Sequence, residues 1–423
     1  MSLYACTQSA LLAGSVALSA AHAATYHLAP PPLGNDAHPG TTNKPWATFA
    51  RAVPALGPGD TLVVRGGTYA ITNHVSVACT GAPSAWITIA GHDGEAVVID
   101  ASGCLPARRQ HTGGAIHVQN ASYVRIRNIS VRNSHAAGIL VRGPRTHHID
   151  ILDCRVDRTY CPGIGVWNAE HIRVIGCEVT GANMQEMRPP GARRRREAPH
   201  EAISIAGVRF FDVASNHVHH CEKEGIDVKE VSAHGRVHHN HVHHVRRQGL
   251  YVDAWFGLLE DIEFDHNLSE SNAFFGMAVS VECRDSELRD VRIHDNVFRR
   301  NGGSGLFFSV WGVDGPRSGI DVRDNIIIGN GGRLAWAGPT GGIDMKTRNC
   351  RDVLITGNLC VSNAQFQIAT FDNPADGLDE LAAQNIVITN NCAFPFVDDT
   401  DHDSPYGRVY ALPSAHSATN TPL

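Results

Sequence analysis

The sequence lacks several features that would place it in common functional classes. Only 18% of its 423 residues are charged and the net charge is −6, so a general affinity for nucleic acid is not expected. No apolar run beyond the N-terminal region is long enough to span a bilayer. There is no glycine-rich phosphate loop and no Gly-x-Ser-x-Gly motif, which argues against nucleotide-dependent and esterase chemistry.

The 11 cysteines include no Cys-x-x-Cys pair, so a zinc site is not expected. Residues 1–23 are small and apolar and end in Ala21-His22-Ala23, which is typical of a signal peptide with an Ala-x-Ala cleavage site. They contain no Lys or Arg, so an N-terminal tail is the alternative. The prediction is a periplasmic or secreted protein. Export would permit disulfides, with Cys79–Cys104 and Cys154–Cys177 as the candidate pairs.

A short phrase recurs through most of the chain, in which an Asn or Cys separates two apolar stretches and Gly-apolar-x-apolar follows. The spacings lie between 23 and 39 residues, which is typical of a solenoid built from strands. An Asn at a repeated turn can hydrogen-bond its counterpart one coil away and tolerates left-handed backbone geometry, so this ladder is interpreted as scaffold. Its positions are Asn128, Cys154, Cys177, Asn216, Asn240, Asn267, Asn296, Asn325, Asn358 and Asn391.

The N-terminal segments Gly34–Thr41, Pro45–Phe49 and Pro58–Tyr69 resemble the entry of the pectate-lyase-like superfamily of secreted right-handed parallel β-helix proteins. The resemblance implies an all-β, right-handed parallel β-helix with a capping helix around residues 46–56. The first coil strand would then follow at residues 61–65. A cap is also required physically, because an open solenoid end exposes core and unpaired backbone.

The expected organisation has four parts: a signal peptide over residues 1–23, a cap and first coils over 24–110, β-helix repeats over 111–396 and an irregular tail over 397–423. Two insertions interrupt the repeats, at residues 183–200 and 329–341. The first contains a run of four arginines and is interpreted as a solvated loop or as a wall beside an acidic polymer.

The second half of the repeated phrase concentrates ionisable residues on one face. Alternation along the strands places Asp227, Lys229, Tyr251, Asp253 and Glu282 outside the core on neighbouring coils. Glu201 is expected to stack on Glu224, and such a like-charge pair requires a cation or a raised pKa. Trp167, Trp255 and Trp311 are candidate platforms for sugar rings, with packing at the coil ends as the alternative. The face is interpreted as a groove for a polysaccharide or oligosaccharide, and its alternative is a solvated surface.

The leading hypothesis is a glycoside hydrolase that needs no cofactor. Asp253 with Glu282 or Asp227 would form the acid/base pair, Lys229 would tune their charge, and Tyr251 and Trp255 would contact substrate. Asp227 and Asp253 are diagonal neighbours, as are Asp253 and Glu282, at roughly 7–8 Å between Cβ atoms. Such separations favour inversion over retention.

The alternative is a calcium-dependent polysaccharide lyase acting on a uronate polymer. Cys221–Lys229 and His200–Ile203 are similar to the site of the chondroitinase-B-like and alginate-lyase branch of the superfamily. That resemblance implies Glu201, Glu224 and Asp227 as Ca²⁺ ligands and Lys229 as the base. Where that branch places an arginine acid, this chain has Tyr251 and Asp253. A non-catalytic glycan-binding surface protein is a further alternative.

Histidines are conspicuous along two neighbouring repeats and alternate along their strands, at His217, His219, His220, His238, His239, His241, His243 and His244. Such residues could bind a transition metal or could simply stack and hydrogen-bond as ladder positions. The chain is expected to be a monomer.

Overall fold

The computed structural model describes residues 23–106, 113–193, 195–309, 311, 313–335, 337–347, 349–370, 384–394, 408–409 and 421–422. These residues form three long sheets, here called sheets A, B and C, in which successive coils of the chain pair in parallel; only the last strand of sheet B, Arg408–Val409, pairs antiparallel with its neighbour. Equivalent strands of successive coils lie side by side in the same sheet. The predicted fold class, an all-β right-handed parallel β-helix with an N-terminal capping helix, is confirmed.

The strands of the three sheets follow one another in chain order. Sheet A contains Thr25–Leu28, Thr61–Val64, Ile87–Gly91, Ser122–Arg127, His147–Leu152, Glu170–Ile175, Arg209–Ala214, Ala233–His238, Leu258–Asp265, Glu287–His294, Arg317–Arg323, Cys350–Thr356 and Gln384–Thr389. Sheet B contains Val75–Val77, Gly114–Gln119, Ala137–Arg142, Ile164–Trp167, Ile203–Ala206, Ile226–Glu230, Leu250–Ala254, Met277–Val281, Leu306–Phe308, Ile343–Met345, Ile368–Thr370 and Arg408–Val409. Sheet C contains Gly67–Ala70, Val97–Asp100, Ser130–Ser134, Arg155–Thr159, Glu178–Thr180, His217–His219, His241–His243, Leu268–Glu270, Val297–Arg299, Ile326–Ile328, Leu359–Val361, Cys392–Phe394 and Thr421–Pro422.

The cap closes the N-terminal end of the core. Its α-helix is short, Phe49–Ala52, and continues as a 3-10 turn over Val53–Ala55. Thr48 is the N-cap, and its hydroxyl accepts a hydrogen bond from the backbone N–H of Arg51. The buried side chains of Phe49 and Val53 belong to the same apolar cluster as the coil interiors. The predicted strand after the cap is present as Thr61–Val64. Thr25–Leu28 pairs with it in parallel and is the first strand of sheet A.

The asparagine ladder runs through the buried turn between sheets A and C. Each side chain repeats the same contacts: Asn216 Nδ2 donates to Asn240 Oδ1 at 2.9 Å and to the carbonyl of Val174 at 2.9 Å. Equivalent bonds continue through Asn267, Asn296, Asn325, Asn358 and Asn391. Buried amides are therefore satisfied by the coils on either side, which fixes the register of the solenoid.

Two details of the predicted ladder are wrong. Asn128 adopts φ 54° and lies one residue before the ladder, where Ile129 takes the position. From Asn216 onward the left-handed residue is likewise the one before the ladder, as at Ser215 and His239. The ladder residue then leads directly into the next strand, which begins one residue later. A second ladder of Asn272, Asn301, Asn330 and Asn363, five residues after the first, was not predicted.

The two insertions and the termini differ in part from expectation. The 183–200 insertion contains a 3-10 turn over Gln185–Met187, and the second insertion forms an antiparallel pair of Gly332–Leu334 with Gly338–Thr340. Residues 408–409 and 421–422 of the predicted irregular tail are short strands, and the rest of it lies outside the described residues. So does the predicted signal peptide, apart from Ala23. Cys79, Cys104, Cys154 and Cys177 are not joined by disulfides.

Candidate active site

Three neighbouring strands of sheet B form the floor of the candidate site. Val228, Val252 and Val279 are fully buried in the core, so the residues alternating with them point away from it. The register places Lys229 opposite Asp253, and Asp227 opposite Tyr251. The predicted diagonal relationship between Asp227 and Asp253 is confirmed, because each lies two residues from the partner of the other.

Loops around this face turn it into a groove with a volume of about 950 Å³. The 183–200 insertion supplies one wall through Asn183, Gln185, Arg196, Glu197 and Ala198. The aromatic side chains of Tyr251, Trp255, Phe256, Phe274 and Trp311 line other parts. The floor contains Glu201, Glu224, Asp227, Lys229, Asp253 and Glu282, so the structure brings all the predicted ionisable site residues together.

Lys229 lies at the centre of this charge cluster. Its Nζ is 2.7 Å from Glu201 Oε2 and 3.7 Å from Asp227 Oδ2. Burial alone would lower the pKa of Lys229, but the charges of Glu201, Asp227 and Asp253 raise it well above its ordinary value. Lys229 is therefore a permanent cation in this arrangement, which suits it to neutralising carboxylates and not to accepting a proton.

Glu201 and Glu224 stack on adjacent coils, as predicted, and cations compensate their charges. The backbone N–H of Ala202 donates to the carbonyl of Glu224 at 2.9 Å, which fixes the pairing. Lys223 Nζ lies 3.9 Å from Glu201 Oε1 and 3.5 Å from Glu224 Oε2. Burial alone would raise the pKa of Glu201, but Lys229 and Lys223 lower it to about 2.

Arg247 completes the compensation and ties the insertion to the floor. Its guanidinium donates to Glu224 Oε1 at 2.7 Å and also pairs with Glu197 from the 183–200 insertion. Arg247 and Lys223 were not predicted as site residues, because both lie in turns, where the alternation of a strand gives no side-chain direction. One signal was available, since Lys223 directly precedes the stacked Glu224.

Asp227 and Asp253 form a carboxyl pair. Their relative exposures are only 1% and 5%, and they lie diagonally across two paired strands. Burial and the charges of Asp253 and Glu201 raise the pKa of Asp227 well above its ordinary value. Burial, together with the charge of Glu282, raises the pKa of Asp253 as well, against the opposing effect of Lys229. The pair therefore holds a proton at pH values where an isolated aspartate is ionised.

One oxygen of each aspartate faces no protein donor. Among the described residues, Oδ1 of Asp227 and Oδ1 of Asp253 have no hydrogen-bond partner. A buried polar atom without a partner is costly, so these two oxygens are unsatisfied acceptors at the floor of the groove.

Tyr251 orients the third carboxylate. Its hydroxyl donates a hydrogen bond to Glu282 Oε1. The ring packs in an apolar cluster with Phe275 and Phe307, and its centroid lies 5.5 Å from that of Trp311. Burial and the charges of Asp253 and Glu282 raise the pKa of Tyr251, so it remains a donor. Burial raises the pKa of Glu282, while the bond from Tyr251 lowers it.

The three predicted aromatic platforms have different environments. Trp255 and Trp311 line the groove. Trp167 instead lies in a separate apolar cluster with Met187 and Ala198, and its centroid is 4.6 Å from that of His200. The insertion packs over Trp167, which does not line the groove.

The implied calcium ligands do not fit a calcium ion as they are arranged. A calcium site needs six to eight oxygens at about 2.3–2.6 Å around one point. Glu201 and Asp227 instead share the ammonium of Lys229, and Glu224 is held by Arg247. Among the described residues, these carboxylates do not bring three ligand atoms within 4.8 Å of one another.

Comparisons with known proteins agree with the fold. Residues 29–179 match the family model described as Pel9A-like, right handed beta helix region, and residues 114–289 match the model of a right handed beta helix region. Pectate lyase PEL9 of Emericella nidulans is 28% identical over 131 residues, which cover 29% of this chain and 32% of that protein. The match thus spans about a third of the relative's length.

Two solved structures show the same fold at low identity. Endo-xylogalacturonan hydrolase from Aspergillus tubingensis superimposes with a TM-score of 0.53 at 12% identity, covering 77% of this chain and 95% of that one. XylC in complex with xylose gives a TM-score of 0.50 at 12% identity, covering 87% and 83%. None of the helices in the described part of this chain is long and apolar enough to cross a membrane.

Proposed function

Because the chain belongs to the pectate-lyase-like superfamily of right-handed parallel β-helix proteins, we propose that it is an exported carbohydrate-active enzyme that hydrolyses glycosidic bonds. The substrate is a polysaccharide or oligosaccharide bound along the groove on sheet B. The observation that carries the proposal is the buried Asp227–Asp253 pair, which holds a proton at pH values where an isolated aspartate is ionised. A retained proton on a carboxyl is what a general acid requires.

The reaction follows from the positions of the carboxyls. The proton of the Asp227–Asp253 pair passes to the glycosidic oxygen as the bond to the anomeric carbon breaks. Glu282 accepts a proton from water as the water oxygen bonds to that carbon, and the Tyr251 hydroxyl orients Glu282. Asp253 and Glu282 are diagonal across the paired strands, since Asp253 pairs with Ser280. A separation of roughly 7–8 Å leaves room for the water and favours inversion.

Charge favours a neutral glycan over a uronate polymer. Eight carboxylates line the groove, Glu197, Glu201, Glu222, Glu224, Asp227, Glu230, Asp253 and Glu282, against five basic side chains, Arg196, Lys223, Lys229, Arg246 and Arg247. The groove remains acidic even with one proton on the aspartate pair. A uronate carboxylate would be repelled, whereas neutral hydroxyls can donate to these carboxylates.

The second candidate is a polysaccharide lyase, favoured by the match to pectate lyase PEL9. That reaction needs an unprotonated base and an anionic sugar. Lys229, the base implied by the family resemblance, is held protonated by Glu201 and Asp227. We therefore place hydrolysis without calcium first.

A digestion of neutral and uronate polysaccharides, with and without a chelator, separates the candidates. New reducing ends are measured in one channel, and the ultraviolet absorbance of an unsaturated uronate in the other. Hydrolysis predicts reducing ends from a neutral glycan, no absorbance and no effect of the chelator. Absorbance that disappears with the chelator would overturn the proposal in favour of the lyase. No product from any polymer would contradict an enzymatic role and favour a glycan-binding protein.

A further inference from the structure

Four histidines form a compact array on sheet C, which is a different sheet from the one that carries the groove. They lie on the neighbouring strands His217–His219 and His241–His243, with His217 paired to His241 and His219 to His243. The valine between each two histidines is fully buried, so all four imidazoles point away from the core.

The contacts within the array leave one pair of nitrogens facing each other. His217 Nε2 lies 2.8 Å from His243 Nε2 across the two strands. Two ring nitrogens at this distance are compatible with a single shared proton, and a divalent cation can replace that proton. The ring centroid of His241 is 5.2 Å from that of His217 and 4.6 Å from that of His243. A ligand nitrogen from each of these three residues lies within 4.8 Å of the other two.

We propose that His217, His241 and His243 bind one divalent transition-metal ion of the zinc, nickel or copper class, with water completing its coordination. Imidazole nitrogens select such ions over calcium and magnesium, which prefer oxygen. The side chain of His241 is 40% exposed, which leaves the array accessible from solvent. The strands hold the three rings in place before the ion arrives, so little ordering is needed on binding.

A rival ligand set next to the three imidazoles consists of Glu178, His217 and His219. Glu178 is already neutralised by Arg155, whose Nη1 lies 2.7 Å away. Glu270 contacts His241 at 3.0 Å but is itself held by Arg299 and Arg300. Arginine pairing weakens both carboxylates as ligands, so the three imidazoles are the preferred set.

Titration of the full chain, purified without a polyhistidine tag and stripped of metal, tests the site. ZnCl₂ binding is followed by calorimetry, and CoCl₂ binding by its visible absorption spectrum. The expected result is one equivalent of tightly bound ion and a higher thermal midpoint in its presence. The double variant His217→Gln/His243→Gln should weaken binding on the order of 100-fold or more, since the loss of outer-shell partners alone costs 10–100-fold.

Two controls define the ligand set. His239→Gln/His266→Gln removes two imidazoles that stack at 4.9 Å on neighbouring coils and belong to no three-ligand group among the described residues. His219→Gln removes a ligand of the rival set only. Both variants should bind zinc as the wild type does. The proposal would be overturned if the wild type did not bind zinc, or if the His239/His266 control lost as much affinity as the His217/His243 variant. It would also be overturned if His219→Gln weakened zinc binding and His241→Gln did not.

Discussion

Lys229 Nζ lies 2.7 Å from Glu201 Oε2, and this ion pair between neighbouring coils lies at the base of the groove. Glu201 is only 5% exposed, so the pair is poorly screened by solvent. Breaking a buried pair leaves the remaining charge without compensation, and this costs more than the loss of a surface pair. The pair therefore links the stability of the coils to the electrostatics of the site.

Glu201→Gln should lower the free energy of unfolding at pH 7 by about 3 kcal/mol, because Lys229 loses its closest carboxylate. Urea denaturation measures this change. Glu186→Gln is the matched control, since Glu186 has a side chain that is 54% exposed and pairs with Arg158 at the surface. That control should shift stability by less than about 0.5 kcal/mol. Equal effects of the two substitutions would contradict a buried, stabilising pair.

The same pair should give a defined pH dependence of stability. The pKa of Glu201 is about 2 in the folded protein, below its ordinary value of 4.5. Its contribution is therefore present above pH 4.5 and is lost as the pH falls towards 2. Urea denaturation across this range should show the wild type and Glu201→Gln converging in stability. A difference that stays constant down to pH 2 would show that Glu201 is not the titrating group.

Tyr251→Phe should reduce kcat by about 10–100-fold, the usual worth of a hydrogen bond to a charged group. The bond from Tyr251 lowers the pKa of Glu282, so its loss raises that pKa. Glu282 must be ionised to act as base, and the acidic limb of the pH–rate profile should therefore move to higher pH. The phenyl ring keeps its packing against Phe275 and Phe307. A fall in kcat without a shift of the limb would point to packing and not to the hydrogen bond.

Asp253→Asn should reduce kcat by about 10²–10⁴-fold through loss of the acid, with substrate affinity largely retained. The thermal midpoint should not fall, because the substitution removes repulsion within a buried carboxyl pair. Asp290→Asn, at a half-exposed position on sheet A, is the matched control and should leave kcat unchanged. Full activity in Asp253→Asn would remove the aspartate pair from the mechanism.

Trp255→Ala should raise KM by about tenfold with little change in kcat, because Trp255 lines the groove and its indole offers apolar contact area but no group for proton transfer. Trp167→Phe is the comparison at a tryptophan packed under the insertion. It should leave KM unchanged in steady-state assays. If only Trp167→Phe changed KM, the substrate would bind beside Trp167 and not in the part of the groove that Trp255 lines.

Much of the site could be predicted because a solenoid converts sequence spacing into spatial contact. Alternation around Val228 and Val252 fixed the outward direction of Asp227, Lys229 and Asp253, and the parallel register made their diagonal relationship predictable. The second asparagine ladder was also available in the sequence, as Asn residues five positions after Asn267, Asn296, Asn325 and Asn358.

The rest depended on chain outside the strands. Arg247 and Lys223 lie in turns, and the 183–200 insertion folds over Trp167 while bringing Glu197 to Arg247. No periodicity governs such segments, since their conformations are set by tertiary contacts. The contact of Tyr251 with Glu282 was likewise not predicted, because a long side chain spans more than the register implies.

The most direct test of the central claim is digestion of a cleavable polysaccharide in ¹⁸O-labelled water, with the products analysed by mass spectrometry. Hydrolysis adds the water oxygen to the new end at the anomeric carbon, so every new reducing end should carry one ¹⁸O. Asp253→Asn should form this product at a rate lower by about 10²–10⁴-fold. Unlabelled products with an unsaturated sugar end would show elimination, and would contradict the assignment of Asp227 and Asp253 as the acid of a hydrolase.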